Sequence, residues 1–198
     1  MKAKANSELE AEIQAIEKGI RDAKTKLKDL RRSLPPTEIH DYTFKNSYGQ
    51  NIKLSEVFGN KDELILVHNM GIGCPYCTLW ADGFNGVLKH LEERAAFVVE
   101  SPDDYPVQRQ FASDRGWNFK MLSSKGTEFR KDMGYADEKD SPQPGVSTFR
   151  KSSDSKITRI AHTGFGPGDN YCVLWDLFDL LPKFSGEPRI KYHYSTSK

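Results

Sequence analysis

The sequence predicts an α/β protein built on a central mixed sheet, with a long helix set in front of it. Three observations carry that prediction. Two short apolar runs, Glu63-Leu-Ile-Leu-Val-His68 and Ala95-Ala-Phe-Val-Val-Glu100, have the unbroken hydrophobicity of parallel strands buried on both faces. Each is followed by a segment of helical character. Stretches of strand type separated by turn residues stand before and after this unit, which adds hairpins and makes the sheet mixed. The order is β-α-β-α followed by β-β-α.

Residues 1–34 read as one helix. Ser7 and Glu10 have the spacing of a capping box, and Leu9, Ile13, Ile16, Ile20, Ala23, Leu27, Leu30 and Leu34 recur at alternating steps of four and three. That is the 3.5-residue repeat of a coiled-coil seam, with Lys, Arg, Glu and Asp on the other faces. Pro35-Pro36 stops it. The seam calls for a partner helix, and a homodimer through residues 9–34 is the favoured way to cover it. An ordinary amphipathic helix packed on its own domain is the plain alternative.

Asp41–Lys45 and Gln50–Leu54 flank Ser47-Tyr-Gly49 as a hairpin, with a helical turn at 55–58. The first core strand, 63–68, leads into a helix running to about Arg94. The second, 95–100, leads into a helix that Asp103 or Asp104 caps and Gly116 ends. A short strand at 118–122, a brief helix at 126–133 and a polar loop at 135–143 follow. Gly145–Phe149 and Lys156–Ala161 form a second hairpin over Ser152–Ser155. Gly164–Gly168 is a loop, after which Asp169 caps an apolar helix that Pro182 halts. The organisation is therefore a helical segment 1–36, a body 37–182, and a basic, Tyr-containing tail 183–198 expected to be loosely held.

The chemistry concentrates where the first core strand ends. Cys74-Pro-Tyr-Cys77 opens the following helix. Pro75 suits the first helical position, which needs no N–H donor. Cys74 then lies at the N-cap, facing unpaired amides and the positive end of the helix dipole, both of which favour its thiolate. Cys77, three residues on, lies over the same face, close enough to close a disulfide. Cys74 is the expected nucleophile and Cys77 the resolving thiol. A zinc site would need two further ligands, and no second Cys or His pair has the spacing; no metal and no cofactor is expected. Cys172, among large apolar residues, reads as a core thiol.

A strand, a Gly-containing loop, C-P-Y-C and an amphipathic helix resemble the thioredoxin superfamily, and the tetrapeptide is the one glutaredoxins use. The element order is that of the thioredoxin fold, opened by a hairpin as in its peroxiredoxin branch. Gly73-Cys-Pro-x-Cys-x-x-Trp-Ala-Asp82, Arg115-Gly-Trp117 with Ser123-Ser124, and Pro144-Gly-Val-Ser-x-Phe149 are similar to a bacterial thioredoxin-like family of unknown function numbered 899. The resemblance covers about residues 38–182 and implies thiol–disulfide chemistry without naming a substrate. It also implies that Pro144 is a cis-proline presenting main-chain groups to a bound thiol or peptide, a trans loop proline being the alternative. Pro75, Tyr76, Trp80 and Pro144 are thus the candidate substrate contacts; Trp80 and Trp117 equally suit plain packing. His68, six residues before Cys74, stands where thioredoxins place a buried acid, as a candidate proton relay or a hydrogen-bonded core residue. Peroxiredoxins place a Pro and a Ser or Thr upstream of their reactive Cys; Val67 and Gly71 stand there instead.

Composition sets the outer bounds. With 198 residues, 37% apolar and 29% charged, the chain has room for one substantial domain and an appendage. A net charge of +1 makes no electrostatic case for nucleic acid or an anionic membrane. Met1-Lys-Ala-Lys-Ala-Asn6 lacks the apolar core of a signal peptide, and no run approaches a membrane span. Three cysteines, two of them in C-x-x-C, point to a cytoplasmic dithiol that cycles, not a structural disulfide framework. The expected function is thiol–disulfide exchange with a disulfide-bearing protein or a low-molecular-weight thiol. The alternatives are a thiol peroxidase and a non-catalytic binding module that assembles through its first helix.

Overall fold

The structure, a computed structural model, describes residues 2–182 and 190–193. The chain divides into two compact units, 1–36 and 37–198. The first is helix α1, Lys2–Ser33. It runs straight through Ser7, so the capping-box spacing read there marks no helix start; the Lys and Ala residues before Ser7 are strong helix formers. Ile13, Ile16, Ile20, Leu27 and Leu30 of the seam are exposed along it.

The second unit is an eight-stranded mixed sheet. Its strands are β1 (Thr37–Ile39), β2 (Thr43–Asn46), β3 (Asn51–Lys53), β4 (Glu63–His68), β5 (Ala96–Ser101), β6 (Lys120–Ser123), β7 (Gly145–Lys151) and β8 (Ile157–Gly164). They lie in the order β1-β8-β7-β4-β5-β6-β2-β3. Strands β4, β5 and β6 are parallel, while β7 and β8 add antiparallel to one side of β4. The β2–β3 hairpin forms where expected and docks beyond β6. Strand β1 went unforeseen: its three residues carry no alternation of their own and form a strand by pairing with β8.

Helices α2 (Leu54–Val57) and α6 (Phe129–Asp132) contribute to one core; α3 (Pro75–Gly86), α4 (Leu88–Arg94) and α5 (Tyr105–Arg115) contribute to the other. The period of two along the central strands decides which residue faces which core. Leu64, Leu66 and Val98 join Phe44, Phe58, Phe129 and Phe149 on one side; Val67, Phe97 and Val99 join Ala81, Leu88, Ala112 and Phe119 on the other. This is the thioredoxin-like α/β architecture predicted, with core on both faces of the central strands.

The helix after β4 and the last helix differ from expectation. The helix after β4 breaks at Val87, where φ is −114° and ψ 12°. Gly83 and Gly86 weaken that turn and the β-branched Val87 does not restore it. The last helix, α7, spans only Leu174–Asp179 and begins at Val173 without a side-chain cap. Asp169 organises the turn before it instead, its carboxylate accepting from Gly166 N–H at 3.1 Å and Tyr171 N–H at 2.8 Å. Of the tail, residues 183–189 and 194–198 lie outside the described residues. Tyr192 is held: its carbonyl accepts from Arg115 Nη1 at 2.5 Å and its ring meets Phe111 edge-on at 6.4 Å.

Candidate active site

The dithiol sits at the C-terminal end of β4, the usual place for chemistry in an open α/β sheet. Gly71 occupies φ +104°, and a Cβ there would meet the Asp103 carboxylate at 2.8 Å, so the loop before Cys74 requires glycine. Asp103 Oδ2 accepts from Ile72 N–H at 2.9 Å and Asn69 Oδ1 from Gly71 N–H at 2.8 Å. These bonds hold the loop and deliver Cys74 to the N-cap of α3, with Pro75 in its first turn.

Cys74 Sγ accepts from Cys77 N–H at 3.2 Å. The Cys77 thiol, with the Cys77 and Tyr76 amides, pulls the Cys74 pKa down from 9.0 to about 6, against the opposing effect of partial burial. Cys77 is 3% exposed, and its proton is held by the Cys74 sulfur and by burial, which push its pKa far upward. Met70 N–H points at Cys77 Sγ from 3.4 Å and Asn69 Nδ2 donates to Cys77 O at 3.4 Å. Both thiols are free, with the charge concentrated on the outer sulfur.

An aromatic wall backs the pair. Trp80, 3% exposed, packs with Cys77 and Trp175; Tyr76 lies 6.3 Å from Trp80 and 6.2 Å from Trp175, ring centre to ring centre. Trp80 is therefore wall and not a surface for substrate, while half-buried Tyr76 keeps an open side. Cys172 is half-buried against this same cluster, and burial raises its pKa.

Pro144 immediately precedes β7, whose Gly145 pairs with His68 beside the dithiol end of β4. The expected cis bond is absent: no peptide among the described residues is cis. Gly145 gives the physical reason for a different local chain path. A Cβ there would approach Tyr135 Cε1 to 2.3 Å and Thr163 O to 2.5 Å, so the strand enters pressed against Tyr135. The Pro144 carbonyl accepts from Phe165 N–H at 3.0 Å.

His68 is fully buried, and the hydrogen bonds of its ring go to neither sulfur. Its Nδ1 lies 2.7 Å from Glu100 Oε1 and its Nε2 2.9 Å from Ser147 Oγ, with the Tyr135 ring stacked on it at 3.7 Å. Burial lowers its pKa to about 4, so the ring is neutral and the geometry suits a proton on Nδ1 donated to Glu100. Burial pushes Glu100 upward, but Arg130 and His68 outweigh that and hold it below the ordinary carboxylate value. As a proton relay His68 has no direct route to the thiols; the link passes through Glu100, Arg130 and Asn69.

Glu100, Arg130, Asn69 and Tyr135 were not singled out from the sequence. Glu100 left a signal: like His68 it is an ionisable residue ending an apolar strand, and parallel pairing sets the two side by side. Arg130 left none, standing in the charged stretch Glu128-Phe-Arg-Lys-Asp132 on a single turn of helix. Trp117 packs against the second core and borders a small cavity with Asn69, Gly71 and Ile72 of the loop before Cys74. The Asp82 carboxylate accepts from Trp117 Nε1 at 2.8 Å and pairs with the Arg115 guanidinium, which clamps α3 to the end of α5. No group of three or more His, Cys, Asp or Glu that could hold a metal ion occurs among the described residues, and no helix there is long and apolar enough to cross a membrane.

A family model described as bacterial protein of unknown function (DUF899) matches residues 3–197, and the chain belongs to that family. No curated protein matches the sequence. Solved structures similar to it include a peroxidoxin, BcpB, of Mycobacterium tuberculosis, at 22% identity and TM-score 0.53, over 65% of this chain and 84% of that one. The peroxiredoxin PrxQ of Xylella fastidiosa matches at 16% and 0.53, with the same coverages of 65% and 84%. A yeast mitochondrial 1-Cys peroxiredoxin matches at 13% and 0.55, over 74% and 75%. At these identities the likeness establishes the shared thioredoxin-type fold.

Proposed function

We propose that this DUF899 protein is a thiol–disulfide oxidoreductase that works through Cys74 and Cys77. The observation that carries the reading is the split of the pair: Cys74 at a helix N-cap with its pKa drawn down to about 6, and Cys77 buried beside it and held as a thiol. The Cys74 thiolate attacks one sulfur of a substrate disulfide; that S–S bond breaks and the other sulfur leaves with the electron pair as a thiolate. Cys77 then gives up its proton, attacks Cys74 Sγ, and expels the second substrate sulfur. The substrate is reduced by two electrons and the protein is left with a Cys74–Cys77 disulfide. Half-buried Tyr76 beside Cys74 offers an apolar edge to the incoming disulfide.

A peroxidase reading gains less support. The amides of Gly71 and Ile72 ahead of Cys74 are committed to Asn69 and Asp103, and Val67 is buried in the core, so neither position offers a donor to a peroxide. The test is reduction of insulin or of glutathione disulfide. Cys74→Ser should abolish it and Cys77→Ser should accumulate a mixed disulfide; undiminished activity in Cys74→Ser refutes the proposal.

A further inference from the structure

The peptide unit joining Asn69 to Met70 has its two polar ends committed in opposite directions. Its carbonyl oxygen accepts from Arg130 Nη1 at 3.0 Å, and its N–H donates to Cys77 Sγ at 3.4 Å. A trans peptide is planar and points C=O and N–H to opposite sides, so fixing one end aims the other. Arg130 fixes it firmly. It is 6% exposed, and its remaining bonds run from Nη1 to Glu100 Oε1 at 2.7 Å and from Nη2 to the carbonyls of Tyr135 and Gln143 at 3.2 and 3.0 Å. One buried cation thus ties the backbone entering the dithiol loop to the backbone entering Pro144.

We propose that Arg130 is the positioning residue of the resolving thiol: by holding the Asn69 carbonyl it aims the Met70 N–H at Cys77 Sγ and stabilises the Cys77 thiolate at the moment of resolution. This rests on the dithiol reading above. In the free dithiol Cys74 carries the charge and Cys77 needs none. Once Cys74 is bonded to a substrate sulfur, its charge is gone and Cys77 must ionise in a buried site, where an unassisted thiolate is costly. The Cys77 proton passes to solvent, the new thiolate bonds to Cys74 Sγ, and the bond from Cys74 to the substrate breaks toward the leaving sulfur. The Met70 N–H is a donor directed at that thiolate, and the guanidinium behind it polarises the same peptide.

The charged and titratable groups around Cys77 give the proposal a sign. Cys74 lies on its own helix. Arg130 stands behind the 69–70 peptide, with Glu100 and neutral His68 behind Arg130. Cys172 and Tyr192 come from the C-terminal segments. Glu100 offsets part of the Arg130 charge. Removing Arg130 should therefore disfavour the Cys77 thiolate, and removing Glu100 should favour it. A residue that only held the fold together would not produce opposite shifts.

The experiment uses the full chain carrying Cys172→Ser, reduced and mixed with one equivalent of dithiobis(nitrobenzoate). The first nitrothiobenzoate released reports attack by Cys74, and the second reports attack by Cys77 on the resulting mixed disulfide. The pH midpoint of the second release reads the Cys77 thiolate. Arg130→Met should raise that midpoint by about 1 unit, the low end of what an opposite charge nearby exerts, with little change in the first release. Below the midpoint the second release should slow about threefold, because a more basic thiolate is also the better nucleophile. Glu100→Gln should lower the midpoint. Should Arg130→Met fail to fold with Glu100 left buried and unpaired, the double variant Arg130→Met/Glu100→Gln removes both charges and should still show a raised midpoint. Midpoints that do not move, or that move the same way in Arg130→Met and Glu100→Gln, overturn the role of Arg130. A native protein that never releases the second nitrothiobenzoate overturns the dithiol reading itself, and this inference with it.

Discussion

The acidity of Cys74 is the property most open to test, because the structure says what produces it. Three donors reach its sulfur: the Cys77 thiol first, then the amides of Cys77 and Tyr76. Together they lower its pKa from 9.0 to about 6. At pH 7 such a thiol is ~90% thiolate, against ~1% for one left at 9.0. Replacing Cys77 by alanine removes the leading donor while keeping both amides. A hydrogen bond to a charged group is worth about 1.5–3 kcal/mol and one pKa unit about 1.4 kcal/mol, so the midpoint should rise by about 1–2 units. Solvent reaching the half-buried sulfur brings the expectation toward the lower figure. Alkylation by iodoacetamide across pH, with Cys172→Ser in both proteins, measures it directly. The sign extends to stability. Because the folded pKa lies below the unfolded one, the thiolate's contribution is present above about pH 9 and is lost as pH falls through about 6. The stability gap between the reduced protein and Cys74→Ala should therefore widen from pH 6 to pH 9. A native alkylation midpoint near 8.5, or one that Cys77→Ala leaves in place, would refute the account of how the site lowers this pKa.

Three further outcomes follow from named contacts. Gly145→Ala forces a methyl onto Tyr135 and the Thr163 carbonyl, so it should destabilise the body by about 1–3 kcal/mol, read as a lowered urea midpoint with unchanged slope. Asp82→Ala leaves the Trp117 indole N–H without its acceptor and Arg115 with only the Tyr192 carbonyl, and should cost about 1–3 kcal/mol in the same assay, without altering the thiol titration of Cys74. The apolar seam of α1 should pair with that of a second copy, so that the full chain sediments as a dimer while a protein lacking residues 1–34 stays folded and monomeric. A monomeric full-length protein at micromolar concentration counts against the seam as an interface.

What the sequence made legible about the fold was whatever short-range pattern controls. The strands at 63–68 and 96–100 were readable because burial on both faces leaves no polar position to interrupt the run. The two hairpins were readable from the turn residues between their strands. Strand β1 was not: of its three residues only Ile39 turns toward the core, too little to make an alternation, and the strand forms by pairing with the edge of β8. The continuous helix expected to Arg94 breaks at Val87 for a local reason that was readable, two glycines within four residues, but apolar periodicity outweighed it. The same weighting stretched α7, since Val173, Leu177, Leu180 and Leu181 supply helical hydrophobicity yet remain exposed.

The site divides along the same line, and the division has a physical cause. The half proposed to react is local: Cys74, Pro75 and Cys77 follow from the rules of a helix N-terminus, with Cys74 at the N-cap of α3 and Pro75 in its first turn. Its tuning half is not, because a buried charge can stay charged only where distant segments bring it partners. Glu100 needs His68 from the neighbouring strand and Arg130 from beyond the next one; Arg130 needs the carbonyls of Asn69, Tyr135 and Gln143 as well. None of those pairings has a sequence period. His68, the ionisable residue that ends the strand before Cys74, is held neutral and turned into Glu100 and Ser147. The charge that reaches Cys77 comes instead from Arg130, 53 positions further along the chain, through a single peptide plane.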